Sequence, residues 1–356
     1  MKPMHPFSRQ VLKVFLLLMI IVTAVHFESV SRVSVSDLYP ESNTVYEDRS
    51  GNVLRWVPDT NGERHTWTPL NNIPSIVQKA FISAEDHRFY SHPGIDVLAI
   101  LRAVKSNLTE GRIVSGASTL TQQLSRLTYP RKRTYYDKFV ELIRSLRIEW
   151  LLDKEQILEL YLNRVPLGNN LVGVKAGSMV YFGKALSRLT SPEAALLASL
   201  PKAPGKLNPY GRNVHSLIDR KSWVLEQMFK YGHISFEEME TGLQTMPFIK
   251  SKSFPFNAPH FIDHVLSVSR KGNQTTTIDL RLQSRVEQIL KSHQFRLKRK
   301  TAHQASVVIL DNKKSEILSL VGSIEYSKRY QGFNNGANAL RSPGSTLKPF
   351  LFAQAL

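Results

Sequence analysis

Glu85 and Asp86 stand side by side, ahead of His87-Arg88-Phe89-Tyr90-Ser91-His92-Pro93-Gly94. Adjacent carboxylates suit general acid–base work when one of them is poised by its surroundings. Val77, Phe81 and Ala84 recur at helical spacing, with Ile73 and Ala80 alongside and Pro74 suited to a first turn. Glu85 and Asp86 then fall at the C-terminal end of that helix, where the dipole disfavours carboxylates. His92-Pro93-Gly94 breaks the chain straight afterwards. Two readings fit: a solvated acidic helix end, or a carboxylate whose pKa is raised against Phe89 and Tyr90.

Three further clusters could bind or react. Gly116-Ala117-Ser118-Thr119 leads into a helix and offers free N–H groups and hydroxyls to an anion. The same stretch also permits a capping box of Thr119 with Gln122. Lys138 and Glu141 are three apart, on the helix face opposite Phe139 and Ile143. They are either a surface pair or two charges aimed into a cleft. Ser345 and Lys348 form S-x-x-K, in which one helical turn brings an amine to a hydroxyl.

Glu85 to Gly94 is similar to E-D-x-x-F-x-x-H-x-G, the first signature of the peptidoglycan glycosyltransferases. These are the lysozyme-like polymerase domains of class A penicillin-binding proteins. Gly116 to Gln123, Gly-Ala-Ser-Thr-Leu-Thr-Gln-Gln, resembles the second signature at the family's distance. The resemblance implies a mainly α fold: a lysozyme-like helical glycosyltransferase domain after an N-terminal transmembrane helix, then an incomplete α/β transpeptidase start. It implies inverting transfer, in which the 4-hydroxyl of lipid II attacks the anomeric carbon of a lipid pyrophosphate donor. The hydroxyl needs a base; the pyrophosphate, already a good leaving group, needs cations.

By the same resemblance Glu85 is the general base, with Asp86 and Glu141 completing the catalytic set. Phe89, His92, Ser118, Thr119, Gln122, Gln123, Arg126 and Lys138 are expected on the substrate side, with Phe89, His92 and Gly94 also matching the motif's framework. Arg126 stands where the family commonly has Lys. The third signature, R-K-x-x-E, falls on Asp137-Lys138-Phe139-Val140-Glu141, so Asp137 replaces the family's Arg. Arg131, Lys132 and Arg133 lie just upstream, but spacing does not place their charge. Ile157 to Asn163 and Gly173 to Gly183 match the fourth and fifth signatures and read mainly as core. Arg341 to Phe350 resembles the transpeptidase nucleophile segment, with Ser345 and Lys348 as its nucleophile and base. The family's S-x-N and K-T-G are not reached before Leu356. This part is therefore expected to be truncated and inactive, and residues after about 270 to be poorly packed.

Several elements must position these groups. Asp96 caps a helix carrying Val97, Leu98, Leu101, Val104 and Leu108, closed by Gly111. Arg112 to Gly116 reads as a loop. Tyr136 to Leu152 is amphipathic, with Phe139, Ile143, Leu146 and Trp150 on one face. Asp153 with Gln156, and Ser235 with Glu238, form capping boxes, and Ser191-Pro192-Glu193 opens another helix. The expected divisions are 1–28, tail and signal anchor; 29–70, a juxtamembrane connector with a small hairpin; 71–250, the glycosyltransferase; 251–274, a linker; and 275–356, the transpeptidase start.

The chain has 356 residues and a formal net charge of +18. That balance points to a polyanionic partner, either nucleic acid or an anionic membrane carrying phosphate-bearing substrates. Lys2, Arg9 and Lys13 precede an apolar run from Val14 to Val25 without a small-x-small cleavage site. This favours a signal anchor with the N-terminus in the cytoplasm, hence a single-pass inner-membrane protein with its catalytic part in the periplasm, and no nucleic acid. There are no cysteines, so disulfides and thiolate metal sites are excluded. The partners implied are lipid II, the growing glycan strand, the membrane and other cell-wall synthesis proteins. No cofactor is required, although a divalent ion such as Mg could bridge pyrophosphate oxygens. The alternatives are a non-catalytic, membrane-tethered scaffold or glycan-binding protein, and a glycan-cleaving lysozyme-like enzyme with a protonated acid at the sugar leaving group.

Overall fold

The structure, a computed structural model, describes residues 19, 23–39, 43–111, 116–132, 134–251, 253–268, 274–340 and 342–355. The chain divides into two units, Met1–Ser42 with Thr60–Lys252, and Asn43–Asp59 with Ser253–Leu356.

The first unit is helical. Residues 23–31 form a helix, followed by α1 (Ser75–Glu85), α2 (Val97–Glu110), α3 (Leu120–Thr128), α4 (Tyr135–Leu151), α5 (Lys154–Arg164), α6 (Ser191–Ser199), α7 (Val214–Lys230) and α8 (Phe236–Gln244). Helix α6 is its buried centre: every residue from Pro192 to Ser199 is buried, as expected of a helix apolar on all sides. A capping box of Thr190 with Glu193 starts it. Helices α1 and α7 pack against α6. The caps expected for α2, α3, α5 and α8 form as read, with Asp96, Thr119, Asp153 and Ser235 each accepting a backbone N–H of the first turn.

Two helices keep the expected period but turn the other way. In α2 the buried residues are Ala99 and Ala103, while Val97, Leu98, Leu101, Val104 and Leu108 are exposed. In α4 the buried face is Val140, Arg144, Ser145 and Ile148, and Phe139, Leu146 and Trp150 are exposed. The helix of residues 23–31 lies beside that apolar face. Phe27 meets Phe139 with ring centroids 5.9 Å apart, and Arg147 pairs with Glu28. Among the described residues no helix is long and apolar enough to cross a membrane. The expected span from Val14 to Val25 lies largely outside the described residues, as do residues 112–115, 133 and 341.

In the second unit, strands β1 (Val45–Glu47) and β2 (Val53–Trp56) form the expected hairpin. The hairpin is not a connector, however. Strand β1 also pairs in parallel with β3 (Gln274–Thr275), giving the sheet order β2-β1-β3. Helix α9 (Pro259–Val268) supplies Phe261 and Ile262 to a core with Tyr46, Leu54, Ile278 and Leu320. Helix α10 (Leu280–Arg299) buries Val286 and Leu290 against Val321 and Ile324, beside the antiparallel pair β4 (Val307–Asp311) and β5 (Glu316–Val321). Poor packing after residue 270 therefore does not hold for residues 274–340, which contribute to both cores. It does describe residues 342–355, every one of which is exposed; these include Ser345, Lys348 and the last helix, α11 (Lys348–Ala355).

Candidate active site

The end of α1 and the start of α3 are tied together by three bonds. Gln123 Nε2 donates to Glu85 Oε2 at 2.7 Å. The backbone N–H of Leu120 donates to Asp86 Oδ2 at 3.0 Å. The Thr119 hydroxyl donates to the Gly94 carbonyl at 2.6 Å. The two signatures, separate in sequence, thus form one body around Glu85. Gly94 has φ +80°, and a Cβ there would lie 2.9 Å from Glu149 Cγ and 3.1 Å from the Ser145 carbonyl. Only glycine fits that approach to α4 without strain.

Glu85 is held in a mostly dry setting, its side chain 13% exposed. Burial raises its pKa, opposed by the Gln123 hydrogen bond and by Arg220, Lys202 and Arg126. Its Oε1 is buried without a hydrogen-bond partner. The amide of Gln123 is itself oriented, because its Oε1 accepts from the Tyr161 hydroxyl at 3.2 Å. Tyr161 is fully buried, and burial, reinforced by the Glu85 charge, pushes its pKa well up, so it remains a donor.

Asp86 serves differently. Both of its oxygens meet His92 Nε2, at 3.0 and 3.1 Å, and both residues are buried. Asp96 holds Arg88 and caps α2 through Ala99 N–H. Carboxylate and imidazole atoms of Asp86, His92 and Asp96 come within 4.8 Å of one another. Each is already engaged as above, so the group is an ion-pair and capping network that pins the loop between α1 and α2.

The expected substrate-side residues separate into two groups. Phe89 is fully buried, under the ammonium of Lys154 at 4.5 Å from its ring centroid. His92, Thr119 and Gln122 are also buried, His92 on Asp86 and the other two in their mutual capping box. These four present framework rather than surface. Ser118, Arg126 and Lys138 stay accessible. Lys138 Nζ donates to Ser118 Oγ at 3.1 Å and pairs with Glu141.

A cavity of about 760 Å³ opens beside them. Among the described residues it is lined by five cations, Arg126, Arg131, Lys132, Lys138 and Arg144, and two carboxylates, Asp137 and Glu141. Asp137 is taken up locally. It accepts from Thr134 at 2.6 Å and pairs with Arg131 at 2.6 Å, and these two contacts lower its pKa. Arg131 and Lys132 thus bring charge to the place where the expected Arg is missing. Sequence reasoning did not find Tyr161, Arg220 or Lys202 near Glu85. Tyr161 sits among Leu158, Leu160 and Leu162, a spacing indistinguishable from plain core, and the other two come from distant segments.

Comparison with known proteins adds the following. Residues 50–229 match the transglycosylase family. The chain is 37% identical over 279 residues to penicillin-binding protein 1C of Escherichia coli (strain K12), covering 78% of this chain and 36% of that protein. It is 31% identical to penicillin-binding protein 1A of Aquifex aeolicus (strain VF5), covering 89% and 55% respectively. It is 33% identical to penicillin-binding protein 1B of Haemophilus influenzae, covering 88% and 42%. The crystal structure of penicillin-binding protein 1A from Haemophilus influenzae aligns with 89% of this chain and 53% of that one, at 18% identity and a TM-score of 0.40. The chain spans between 36% and 55% of the length of these three curated relatives.

Proposed function

The chain belongs to the transglycosylase family, as carried by class A penicillin-binding proteins, and we propose that it polymerises lipid II into glycan strands. The carrying observation is one buried carboxylate, Glu85, beside a cavity lined with cations.

In this reading the incoming 4-hydroxyl approaches Glu85 Oε1, whose lone pairs make no other bond. The hydroxyl oxygen forms a bond to the donor's anomeric carbon from the face opposite the pyrophosphate. Its proton passes to Glu85. The bond from that carbon to the pyrophosphate oxygen breaks, the electron pair leaves with undecaprenyl pyrophosphate, and configuration inverts. Lys138, fixed between Ser118 and Glu141, meets the departing charge with Arg126, Arg131 and Lys132. Gln123 and Tyr161 orient the base, while Asp86, Phe89, His92, Thr119 and Gln122 hold the frame. A divalent ion such as Mg could share the pyrophosphate oxygens.

The exposed apolar residues of α2 and α4 support a lipid-facing surface. Leu101, Leu108 and Trp150 are 61%, 78% and 90% exposed, more apolar surface than a soluble face normally shows. With the +18 charge, we read single-pass inner-membrane attachment, with the site held at the lipid surface on the periplasmic side.

Incubation with lipid II and sizing of the products tests the proposal. Long glycan strands with release of lipid pyrophosphate are expected. Binding without polymer would instead indicate a scaffold, and shortening of preformed strands a lysozyme-like hydrolase.

A further inference from the structure

Glu85 has an ionic partner far along the chain. Arg220, on α7, places a guanidinium nitrogen 3.9 Å from Glu85 Oε1, with both side chains 13% exposed. The guanidinium is fixed on two sides. It lies over the ring of Trp223, one helical turn on, at 3.8 Å from the centroid, and it donates to the Ala84 carbonyl at 3.4 Å. A lysine could not reproduce that planar, stacked seat.

The separation matters. At 3.9 Å the pair is beyond hydrogen-bond reach, yet its Coulomb attraction in a dry site is large. A carboxylate buried without a compensating cation takes up a proton instead. A carboxylate locked in a bidentate ion pair has its lone pairs occupied. Glu85 has neither fate: Oε2 is held by Gln123 and Oε1 faces a cation without bonding to it.

We propose that Arg220 is a positioning residue for Glu85: seated on Trp223, it keeps the buried carboxylate ionised while leaving Oε1 open to the acceptor's proton. This rests on the reading of Glu85 as the general base. The other groups acting on Glu85 are Gln123 and Arg126 from α3, Lys202 from the turn Leu200–Lys202, and Tyr161 from α5, with Asp86 as its chain neighbour. Arg220 is the buried cation among them; Arg126 and Lys202 are exposed.

The test uses the full chain with Arg220→Met, Arg220→Lys and Trp223→Leu. Glu85 is titrated directly by carboxyl ¹³C NMR, its signal identified by loss in Glu85→Gln. Arg220→Met should move the titration midpoint upward by about one pH unit or more, a tenfold or larger loss of ionised base below the new midpoint. Arg220→Lys should move it less. Trp223→Leu, which unseats the guanidinium but keeps its charge, should give a smaller upward shift, and it provides the reading if Arg220→Met does not fold. The acidic limb of lipid II polymerisation should follow each shift, with the rate recovering at higher pH. A purely structural Arg220 would lower the rate at every pH and leave the midpoint in place. Midpoints matching the wild type in Arg220→Met, or in Trp223→Leu if the former does not fold, overturn the proposal. Because the titration needs no substrate, a wild-type chain that fails to polymerise would count against the proposed activity and not against this pairing.

Discussion

At the scale of the residue, the account turns on how one carboxylate is kept basic. Burial raises the pKa of Glu85, while Gln123 and three cations pull it back. The sign for activity follows directly. A general base works when deprotonated, so the rate falls as pH drops through a pKa above the ordinary glutamate range. Gln123→Ala removes a stabilising donor from the ionised form. Its acidic limb should move to higher pH, with about a tenfold loss near neutrality, measured as kcat/KM for lipid II against pH. Glu85 and Gln123 were legible in the sequence because each belongs to a long motif. What the motif did not show is that they bond to each other, or that Tyr161 sets the direction of the amide. A tyrosine among leucines carries the pattern of a core residue, and only the fold shows its hydroxyl pointing at Gln123.

At the scale of the element, caps were legible and burial was not. The Thr119–Gln122 and Asp153–Gln156 boxes depend on residues three apart, and both form. Helices α2 and α4 were assigned correctly in extent, but their apolar stripes were read as core. Periodicity reports that a helix has two faces; it does not say which solvent meets each. The buried faces carry small or unexpected residues instead: Ala99 and Ala103 in α2, Arg144 and Ser145 in α4. Changing Val97, Leu101 and Leu108 together to Ser should therefore weaken binding to anionic vesicles, read by cosedimentation. It should leave the melting temperature unchanged, since no core is opened. A loss of stability comparable to a core substitution would contradict a lipid-facing role. Gly94 makes the opposite case. Its positive φ and the 2.9 Å approach to Glu149 make Gly94→Ala destabilising by about 1–3 kcal/mol, measurable by thermal unfolding.

At the scale of the whole molecule, the sequence separated a helical part from a later α/β part but misplaced the hairpin of β1 and β2. The hairpin's turn is a local signal, whereas its parallel partner β3 lies more than two hundred residues on, and nothing local encodes that pairing. The second unit is better packed than expected, with cores around Leu320 and around Leu290. Limited proteolysis should therefore cut within residues 342–355, all exposed, before it cuts between 274 and 325. Rapid cleavage inside α10 or β5 would contradict that packing. The central claim, which joins both signatures, the cation-lined cavity and the membership of the transglycosylase family, is that Glu85 is the base of a glycan polymerase. The most direct measurement is the length distribution of glycan made from lipid II by the wild-type chain and by Glu85→Gln, with lipid II binding measured in parallel. The account predicts polymer from the wild type, and none from the variant despite retained binding. Glycan strands made by Glu85→Gln near the wild-type rate would contradict it.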